Sequence, residues 1–525
     1  MINGELDCRL IDALRNPAHY PHPVQSVKLL ETHISWVLLA GDYVYKIKKP
    51  VDFGFLNFSE LSQRKFFCHE ELRLNRRLAP DLYLDVVGIG GSLDRPSFNA
   101  EPAFEYAVKM RRFAEEMLLD HLLAQNRLSV QHMHSLAETM ADFHKQLAPA
   151  KTDAGYGDTE AVFRPTQQNF QQLSQLLDNH YRDRLAALET SNEQEYQRCL
   201  PLFAQRLECG KVRECHGDLH LGNIVLLDDK PTPFDGIEFN PALRWIDVIN
   251  DIAFLLMDLQ QRQRPDLAFA FINGYLQATG DYEGLAVLRF YLGYRAMVMA
   301  KVTAIRAAQL GKSASLIQCE SYLALAEQFY SPSTPALIIT HGLPGCGKTT
   351  VSQMIIEKYQ AIRIRSDVER KRLFDLQAHQ RSWSGLNDGI YTAEATQCTY
   401  RRLLDLSNLI LQSGFSVIVD AAFLKRQERQ QFQALAEQLN QPFVILDISS
   451  DDALLRKRIQ QRHAEASDAS EADIAVYEKL KLANEALNDE ELQFRLEVIN
   501  DGEIRQLKEY SNIWNKLEQL IAYKR

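Results

Sequence analysis

The chain has no long apolar run and no targeting sequence at its N-terminus. Its 525 residues include no stretch of about 18 or more consecutive apolar side chains, so we expect no membrane-spanning helix. Residues 1–7 carry neither the basic region nor the apolar core of a signal peptide. The sequence therefore does not indicate a membrane protein or an exported protein.

Cysteines are few and scattered. The eight cysteines form no C-x-x-C pair, which is the spacing that zinc sites and many redox centres use. Neither a zinc site nor a disulfide framework is indicated, and the pattern fits a reducing compartment. We therefore expect a cytoplasmic protein.

An excess of positive charge is also missing. Lys and Arg number 59 against 69 Asp and Glu, which gives a net charge of −10. This balance argues against a surface that coats nucleic acid, although a local basic groove is compatible with it. We expect no extended nucleic-acid surface and no membrane partner, and we expect small molecules rather than polyanions as ligands.

No internal repeat and no low-complexity tract divides the chain, and its length is too great for one hydrophobic core. The clearest interruption is Ser-Pro-Ser-Thr-Pro at residues 331–335, between a helical pattern and a strand-like run. Clustered Ser, Thr and Pro between periodic segments are typical of a linker. We therefore predict one domain over residues 1–330, a linker over 331–335 and a second domain over 336–525.

The first 330 residues show short strands followed by helices. Apolar runs at 27–32, 34–40 and 43–49 predict strands, and the Gly-Asp dipeptide before the last of them is typical of a hairpin turn. A helical pattern over about 59–78 follows, then a strand at 106–110, and then mostly helices. A small β-rich lobe before a large helical lobe is typical of an α+β fold.

A polar cluster follows at His216, Asp218 and Asn223, and Asp235 comes twelve residues later at the end of a strand-like run. This is the spacing of a kinase catalytic loop, in which the aspartate accepts the proton of the substrate hydroxyl and the asparagine holds Mg²⁺. Asp235 lies where a second metal-binding carboxylate is needed. We therefore predict Asp218 as a catalytic residue, with Asn223 and Asp235 as metal ligands.

A lysine and a glutamate upstream extend this pattern. Lys46 lies on a strand and matches the phosphate-binding lysine of kinases, and Lys48 lies on the same face of that strand. Glu70 or Glu71 on the following helix could pair with the lysine. The sequence leaves both choices open. Lys46 is preferred because Val44 then stands two residues before it, and Glu71 is taken with it as the cofactor-binding pair.

At these residues the chain resembles the aminoglycoside phosphotransferase-like branch of the protein-kinase-like fold, over about residues 25–330. The matching segments are H-G-D-L-H-L-G-N and F-D-G-I-E-F, whereas no G-x-G-x-x-G loop precedes the lysine. The resemblance implies ATP and Mg²⁺ as cofactors, residues 105–110 as the hinge that meets adenine, and Asp251 as a structural aspartate. It also implies a role for each residue named above: catalytic base for Asp218, metal ligand for Asn223 and Asp235, and phosphate contact for Lys46.

A glycine-rich loop opens the predicted second domain. Residues 336–340 predict a buried strand and 351–359 predict a helix, with G-L-P-G-C-G-K-T-T between them. Strand, loop and helix in this order indicate a P-loop, whose glycines let backbone N–H groups converge on phosphate at a helix N-terminus. Lys348 would reach the β- and γ-phosphates, and Thr349 would hold Mg²⁺. We therefore predict a nucleotide-binding set made of Gly342, Leu343, Pro344, Gly345, Cys346, Gly347, Lys348, Thr349 and Thr350.

Cys346 lies inside this loop, and two interpretations of it are open. An oxidisable thiol at this position could gate nucleotide binding. A small side chain that fits a tight loop is the plainer interpretation, and we favour it.

Acidic and basic side chains follow two further strand-like runs. Asp367 and Arg370 come after one of them, and Asp420 ends the other. Because ligand sites in parallel sheets lie at the carboxyl ends of strands, we expect these residues near the γ-phosphate. Asp367 could accept a proton from a substrate hydroxyl, and Arg370 could clamp an anionic substrate or the transferred phosphoryl group. Asp420 is predicted as a metal ligand, with a helix N-cap as the alternative.

Two arginines on a later helix share one face. Arg458 and Arg462 are four residues apart, and a flexible stretch over 464–472 follows them. They could belong to a lid that brings arginines to the phosphates, so we predict both as catalytic residues. A solvated basic helix face is the alternative.

Over about residues 336–500 the chain resembles small P-loop kinases, among them polynucleotide 5′-kinases, zeta-toxin-like kinases and gluconate- or shikimate-kinase-like enzymes. The matching segments are G-L-P-G-C-G-K-T-T, R-S-D-V-E-R, V-I-V-D-A-A-F-L-K-R-Q-E-R and K-R-I-Q-Q-R. The spacing of Asp367 and Arg370 looks most like the polynucleotide-kinase branch, although no basic-aromatic platform for a strand accompanies it. The resemblance implies an α/β P-loop NTPase domain with a mostly parallel sheet.

The whole chain resembles bacterial proteins that join a phosphotransferase-like domain to a P-loop kinase domain. We therefore expect a bifunctional ATP-dependent phosphotransferase, in which each domain acts on a hydroxyl of a small-molecule acceptor. Two alternatives stay open: one active kinase domain regulated by the other as a nucleotide sensor, and an NTPase switch that transfers nothing. The sequence identifies neither acceptor and does not give the oligomeric state.

Overall fold

The computed structural model describes most of the chain and divides it into two compact units. The first unit comprises Met1–Asp178 and Leu200–Asp258, and the second comprises Asn179–Cys199 and Leu259–Arg525. The residues described are 9–52, 54, 56–310, 313–378, 380–382, 388–465, 473–502 and 511–522. None of the helices in these ranges combines the length and the apolarity that a bilayer crossing requires.

The first unit contains a six-stranded antiparallel sheet in the order β1-β2-β3-β6-β4-β5. Its strands are β1 (Val27–Glu31), β2 (Ser35–Ala40), β3 (Tyr43–Lys48), β4 (Tyr83–Ser92), β5 (Arg95–Phe98) and β6 (Ala103–Arg111). The first three match the predicted strands to within two residues at each end, because the turn and the apolar runs are local signals. The strand predicted at 106–110 lies inside β6, and β4 and β5 were not predicted.

Helices follow this sheet, as the sequence indicated. Those of the first 330 residues are α1 (Leu61–Asn75), α2 (Leu119–Ala124), α3 (Val130–Gln146), α4 (Thr159–Leu176), α5 (Arg182–Glu208), α6 (Val248–Gln261), α7 (Pro265–Thr279), α8 (Leu285–Leu310) and α9 (Ser313–Tyr330). Two short antiparallel pairs interrupt them, β7 (Val212–Glu214) with β10 (Trp245–Asp247), and β8 (Ile224–Leu227) with β9 (Lys230–Pro233). The α+β class predicted for this part of the chain is confirmed.

The second unit contains a five-stranded sheet in the order β12-β13-β11-β14-β15, in which every neighbouring pair is parallel. Its strands are β11 (Leu337–His341), β12 (Ile362–Arg365), β13 (Val417–Asp420), β14 (Phe443–Ser449) and β15 (Arg495–Ile499). All five residues of the central strand β11 are buried, as expected of a parallel sheet covered on both faces. The predicted α/β fold with a mostly parallel sheet is confirmed.

Helices alternate with these strands. They are α10 (Lys348–Tyr359), α11 (Ser366–Leu373), α12 (Ala393–Gln412), α13 (Arg426–Gln438), α14 (Asp452–Glu465), α15 (Ile474–Leu482), α16 (Asp489–Leu492) and α17 (Ser511–Ala522). The strand-loop-helix succession from β11 to α10 has the order that the glycine-rich sequence predicted.

The helices before the predicted linker belong to the same compact unit as the parallel sheet. Helices α7, α8 and α9 lie in the second unit, although they precede residue 331. The predicted linker makes hydrogen bonds to residues before and after it in the chain. Arg289 Nη2 donates to Ser331 O at 3.1 Å, and Ser333 Oγ donates to Gly414 O at 2.8 Å. The domain boundary at 331–335 stays a prediction, and the spatial division of the chain lies upstream of it.

Candidate active sites

The first site is built around two lysines of β3 and one glutamate of α1. The alternation of a strand places Lys46 and Lys48 on the same face. Lys46 Nζ lies 2.9 Å from Glu71 Oε1 and 2.5 Å from Asp235 Oδ1. Lys48 Nζ lies 2.7 Å from Glu71 Oε2 and also pairs with Glu238. Glu71 therefore bridges both lysines.

The two choices left open by the sequence differ in their surroundings. Glu70 turns away from the lysines and pairs with Arg73 at 2.8 Å, so Glu71 is the glutamate of the site. The Lys48 side chain is 0% exposed, whereas that of Lys46 is 13% exposed and alone reaches Asp235. Lys46 is therefore the lysine that can meet a bound phosphate, and its role as such a contact stays a prediction.

Electrostatics hold this group in its charged form. Burial by itself would lower the pKa of Lys46, but the carboxylates of Asp235 and Glu71 outweigh it and raise the pKa well above its usual value. Burial would raise the pKa of Glu71, and the two ammonium groups instead lower it to about 2. Burial raises the pKa of Glu238, so the lysines stabilise the Glu71 carboxylate more than that of Glu238.

The loop from His216 to Asn223 runs between β7 and β8. Asn223 Nδ2 donates to Asp218 Oδ2 at 2.8 Å, and His220 Nε2 lies 3.5 Å from the same oxygen. These contacts fix the orientation of the Asp218 carboxylate, which is partly exposed. The three polar residues that the spacing selected are thus assembled in one loop.

Asp251 of α6 holds this loop in place. Its carboxylate accepts hydrogen bonds from the backbone N–H groups of His216 at 3.2 Å and Gly217 at 2.7 Å. His144 Nε2 lies 3.1 Å from Asp251 Oδ2. Burial would raise the pKa of Asp251, but the interactions with His144, His216 and the Gly217 N–H together outweigh it and the pKa falls to about 2. The geometry matches the structural role expected of this aspartate.

His144, Cys215 and Asp251 form a buried cluster of possible metal ligands within the described part of the chain. The Asp251 oxygens already accept two backbone N–H groups. Burial raises the pKa of the Cys215 thiol well above its usual value, whereas a metal ligand would have to be the thiolate. The donor set therefore fits a structural cluster better than a metal site.

Asp235 lies beside the loop rather than inside it. Phe234 N donates to Asn223 O at 2.9 Å, which brings the segment before Asp235 against the loop. The backbone of Asp235 has φ of 59°, a left-handed conformation that residues other than glycine adopt less often. The Asp235 N–H donates to Tyr83 Oη at 3.1 Å. Carboxylate and amide oxygens are the ligands that Mg²⁺ prefers, so Asn223 and Asp235 have suitable donor chemistry.

The adenine hinge expected at residues 105–110 lies in the interior of β6. Residues 107–110 pair with β3 on one side and with β4 on the other, whereas Glu105 and Tyr106 pair with β4 alone. Tyr106 N donates to Glu105 Oε1 at 2.9 Å, and the Glu105 side chain is buried against Arg64 at 2.8 Å. The contact of these residues with adenine stays a prediction.

The second site is the loop between β11 and α10. Gly342 and Gly347 have φ of 146° and 95°, and a side chain on either would clash, with Ile448 O and Asn500 Nδ2 respectively. Lys348 Nζ donates to Gly342 O and to Leu343 O, both at 2.9 Å. The loop thus forms a cradle that only glycine permits, with the lysine folded across it, and this geometry fits a phosphate group.

Neighbouring elements support the cradle. Asn500, which follows β15, donates from Nδ2 to Cys346 O at 2.8 Å, and Ile459 of α14 packs against Gly345. Cys346 is 1% exposed, and burial raises the pKa of its thiol, which favours the interpretation as a small side chain in a tight loop. Asn500 was missed because β15 was not predicted. Pro344 and Thr350 lie in the same loop and at the start of α10.

Thr349, at the start of α10, contacts Asp420 at the end of β13. Thr349 Oγ1 donates to Asp420 Oδ2 at 2.8 Å, and Arg365 Nε lies 3.8 Å from the same carboxylate oxygen. The helix after β13 begins at Arg426 with Lys425 as its N-cap, so Asp420 is not a helix cap. A hydroxyl and a carboxylate side by side at a parallel strand end are suitable ligands for Mg²⁺.

Arg370 is buried without an acidic partner. It is 8% exposed, and its Nη1 donates to Ile390 O at 2.9 Å and Thr396 Oγ1 at 3.1 Å. Its Nε has no hydrogen-bond partner, and within the described ranges no carboxylate pairs with it. Asp367 lies in the first turn of the same helix, α11, and is partly exposed.

The predicted arginine pair is only partly described. Arg458 lies on α14 and its Nη1 donates to Ser450 Oγ at 3.3 Å. The side chain of Arg462 lies outside the described residues, as does most of the predicted lid at 464–472. The backbone of α14 contacts the cradle, since Leu455 O lies beside Gly345. The lid role of the two arginines stays a prediction.

Two family models match the chain in the places where these sites lie. A model described as a phosphotransferase enzyme family matches residues 68–291, and one described as an AAA domain matches residues 337–487. The chain thus joins a protein-kinase-like phosphotransferase region to a P-loop kinase region, and it is of the kinase or phosphotransferase class.

The family extends over nearly the whole chain. Uncharacterized protein Rv2004c of Mycobacterium tuberculosis is 32% identical over 463 residues, which cover 86% of this chain and 90% of the relative. Uncharacterized protein Mb2027c of Mycobacterium bovis matches with the same figures. The chain belongs to the same family as these two proteins.

Several solved structures are similar to a part of the chain. One is the GDP complex of an aminoglycoside 2′-phosphotransferase-IIIa variant, with 18% identity, coverage of 62% of this chain and 100% of that chain, and a TM-score of 0.39. Another is a gluconokinase from Sinorhizobium meliloti 1021, with 15% identity, coverage of 37% and 98%, and a TM-score of 0.27. Neither likeness assigns a substrate to this chain.

Proposed function

We propose that the protein is a bifunctional ATP-dependent phosphotransferase in which each unit transfers the γ-phosphoryl group of ATP to a hydroxyl of a small-molecule acceptor. The observation that supports the proposal is that each unit contains its own lysine, carboxylates and other oxygen groups of the kinds that phosphoryl transfer needs. In the first unit these are Lys46, Asp218, Asn223 and Asp235, and in the second they are Lys348, Thr349, Asp367 and Asp420. A unit that had lost catalysis would be expected to lack one of these groups.

In the first unit, Asp218 accepts the proton of the acceptor hydroxyl. ATP would supply the phosphoryl group, and Mg²⁺, when bound, would neutralise part of its charge. Asn223 and Asp235 are the residues that would hold the metal. Lys46 is held by Glu71 for contact with phosphate oxygens, and Asn223 orients the Asp218 carboxylate through the bond at 2.8 Å.

In the second unit, the cradle holds the phosphates through its backbone N–H groups and Lys348. Thr349 and Asp420 would hold Mg²⁺, directly or through water. Asp367 at the start of α11 orients or deprotonates the acceptor hydroxyl, and Arg458 with Arg462 stabilises the charge of the moving group.

We infer further that the acceptor of the second unit carries an anionic group. Within the described residues the Arg370 guanidinium is 8% exposed and contacts neutral groups, including the Tyr391 ring at 5.4 Å, and its Nε has no hydrogen-bond partner. An anion that reached Nε would satisfy this buried cation. Arg370 lies one helical turn after Asp367, so the anion would sit close to the reacting hydroxyl. A carboxylate or a phosphate group meets this requirement, since both suit the planar guanidinium.

The test is label transfer from γ-labelled ATP to compounds of a cell metabolite extract. Full-length wild type is compared with Asp218→Ala and Lys348→Ala. Matched controls remove exposed residues of the same type from each unit: Asp142→Ala on α3, and Lys358→Ala on the same helix as Lys348. We expect two labelled acceptors, one lost in each active-site variant, and both retained in the controls.

Other outcomes separate the alternatives. If one variant removes all transfer and the other alters only its control by nucleotide, one unit is a nucleotide sensor. If label appears only as inorganic phosphate with every extract, the transfer proposal is wrong and the NTPase switch replaces it.

A further inference from the structure

The outer edge of the parallel sheet is closed by a side chain instead of a strand. Strand β12 is the edge strand and has only β13 as a neighbour. On its inner side, Ile362 N donates to Ser416 O at 2.8 Å. The adjacent groups, Ala361 O and the Arg363 N–H, point the other way, and buried backbone groups of this kind need partners.

Asn273 of α7 supplies both partners. Its Oδ1 accepts a hydrogen bond from Arg363 N at 2.7 Å, and its Nδ2 donates to Ala361 O at 3.0 Å. The second hydrogen of the amide donates to Phe269 O at 2.8 Å within α7, and the residue is 7% exposed. The carboxamide therefore takes the place of one peptide group of a missing sixth strand.

The strand held in this way leads directly to the second site. Arg363 Nη1 donates to Thr349 O at 3.1 Å, and the chain continues from β12 into α11, which carries Asp367 and Arg370. A second bond ties the end of α11 to α7, since Arg372 Nη2 donates to Gln277 O at 2.6 Å. Helix α7 thus fixes the segment before and after the two predicted acceptor-side residues.

We propose that Asn273 is a positioning residue of the second transfer site. It lies in the part of the chain that the phosphotransferase model matches, outside residues 337–487, yet it completes the sheet of the P-loop region. The cradle is carried by β11 and α10, whereas Asn273 bonds to Ala361 O and Arg363 N of the β12 segment, which leads into α11. Its loss should therefore displace the acceptor side and leave the nucleotide side in place.

The test uses full-length Asn273→Ala and Asn273→Val. Valine restores more of the side-chain volume than alanine and, like alanine, removes all three hydrogen bonds of the carboxamide. A packing role therefore predicts a milder effect for valine than for alanine, whereas a positioning role predicts equal effects. Asn192→Ala is the matched control, because Asn192 is also buried in the second unit but accepts its bond from Tyr330 Oη at 3.0 Å.

Three quantities are measured: hydrogen exchange over residues 361–370, fluorescent ADP binding that depends on Lys348, and label transfer that depends on Lys348. For both Asn273 variants we expect the protection of residues 361–370 from hydrogen exchange to fall by about tenfold or more, because a buried backbone donor loses its partner. We expect Lys348-dependent label transfer to fall by a similar factor. The affinity for ADP should stay within about threefold, because binding and transfer are separable quantities. The Asn192 variant should match wild type in all three.

Three results would overturn the proposal. The first is unchanged protection of residues 361–370 from hydrogen exchange in both Asn273 variants. The second is an equal fall of ADP affinity and label transfer in these variants, and the third is an equal fall of protection and transfer in the Asn192 variant. The last two indicate a general loss of folded protein. The transfer readout rests on the proposed function; if wild type transfers no label, that function fails while the exchange measurement still tests the positioning of β12.

Discussion

Replacing Glu71 by glutamine should loosen the framework of the first site at neutral pH. The carboxylate is 0% exposed and lies within 2.9 Å of Lys46 and 2.7 Å of Lys48. Its pKa falls from 4.5 to about 2, and at 1.36 kcal/mol for each pH unit this shift corresponds to about 3 kcal/mol. Since each lysine keeps a second carboxylate, Asp235 or Glu238, we take this value as the upper end of the loss.

Hydrogen exchange of the full-length protein measures this loss locally. Opening of β3 and α1 should become up to roughly 100-fold more frequent in Glu71→Gln at pH 7. A carboxyl group whose pKa is lower in the folded protein than in the unfolded chain stabilises the fold at pH values above its pKa in the unfolded chain. This stabilisation is lost as the pH falls through its pKa in the folded protein. The difference from wild type should therefore shrink as the pH falls from about 4.5 to about 2.

Glu70→Gln is the control, because it removes the same charge from the neighbouring residue of the same helix. Glu70 is 18% exposed and pairs with Arg73 at 2.8 Å and with Arg244 at 3.4 Å, so its loss affects α1 without removing a contact of the two lysines of β3. Exchange in α10 of the second unit is an internal reference. If hydrogen exchange in β3 is as slow in Glu71→Gln as in Glu70→Gln, the bridging role of Glu71 is refuted.

Three further predictions concern single contacts. Asp251→Asn should reduce Asp218-dependent label transfer by at least about tenfold, because a neutral amide replaces the charged acceptor of two buried N–H groups; Lys348-dependent transfer in the same preparation should not change. Gly347→Ala should abolish the Lys348-dependent binding of fluorescent ADP. If the clash of the new methyl group with Asn500 is the cause, adding Asn500→Ala should restore part of the ADP affinity. The affinity that is not restored reflects the backbone φ of 95°, which costs a residue with a side chain about 1–2 kcal/mol. Arg370→Met should raise the KM for the acceptor and leave the urea unfolding midpoint no lower than that of wild type, since a buried cation without an acidic partner is replaced by an apolar chain. A lower midpoint with an unchanged KM would assign Arg370 a structural role.

Sequence alone predicted both candidate sites because part of each lies in a short segment of the chain. The spacing of Asp218 and Asn223 and the succession from β11 through the glycine loop to α10 are local signals, and backbone geometry over ten residues follows from them. The α+β and α/β classes were predictable for the same reason, since the periodicities of strands and helices are read within single elements.

Only the tertiary structure distinguishes the alternatives that the sequence left open at the first candidate site. Successive helix residues point about 100° apart, so the packing of α1 determines that Glu71 faces the lysines and Glu70 faces Arg73. Lys46 and Lys48 share one strand face, and only the position of Asp235 distinguishes them. Asn273 and Asn500 contact the second site from 90 and 154 residues away in sequence. No local pattern marks such residues, because their roles depend on which distant elements the fold brings together.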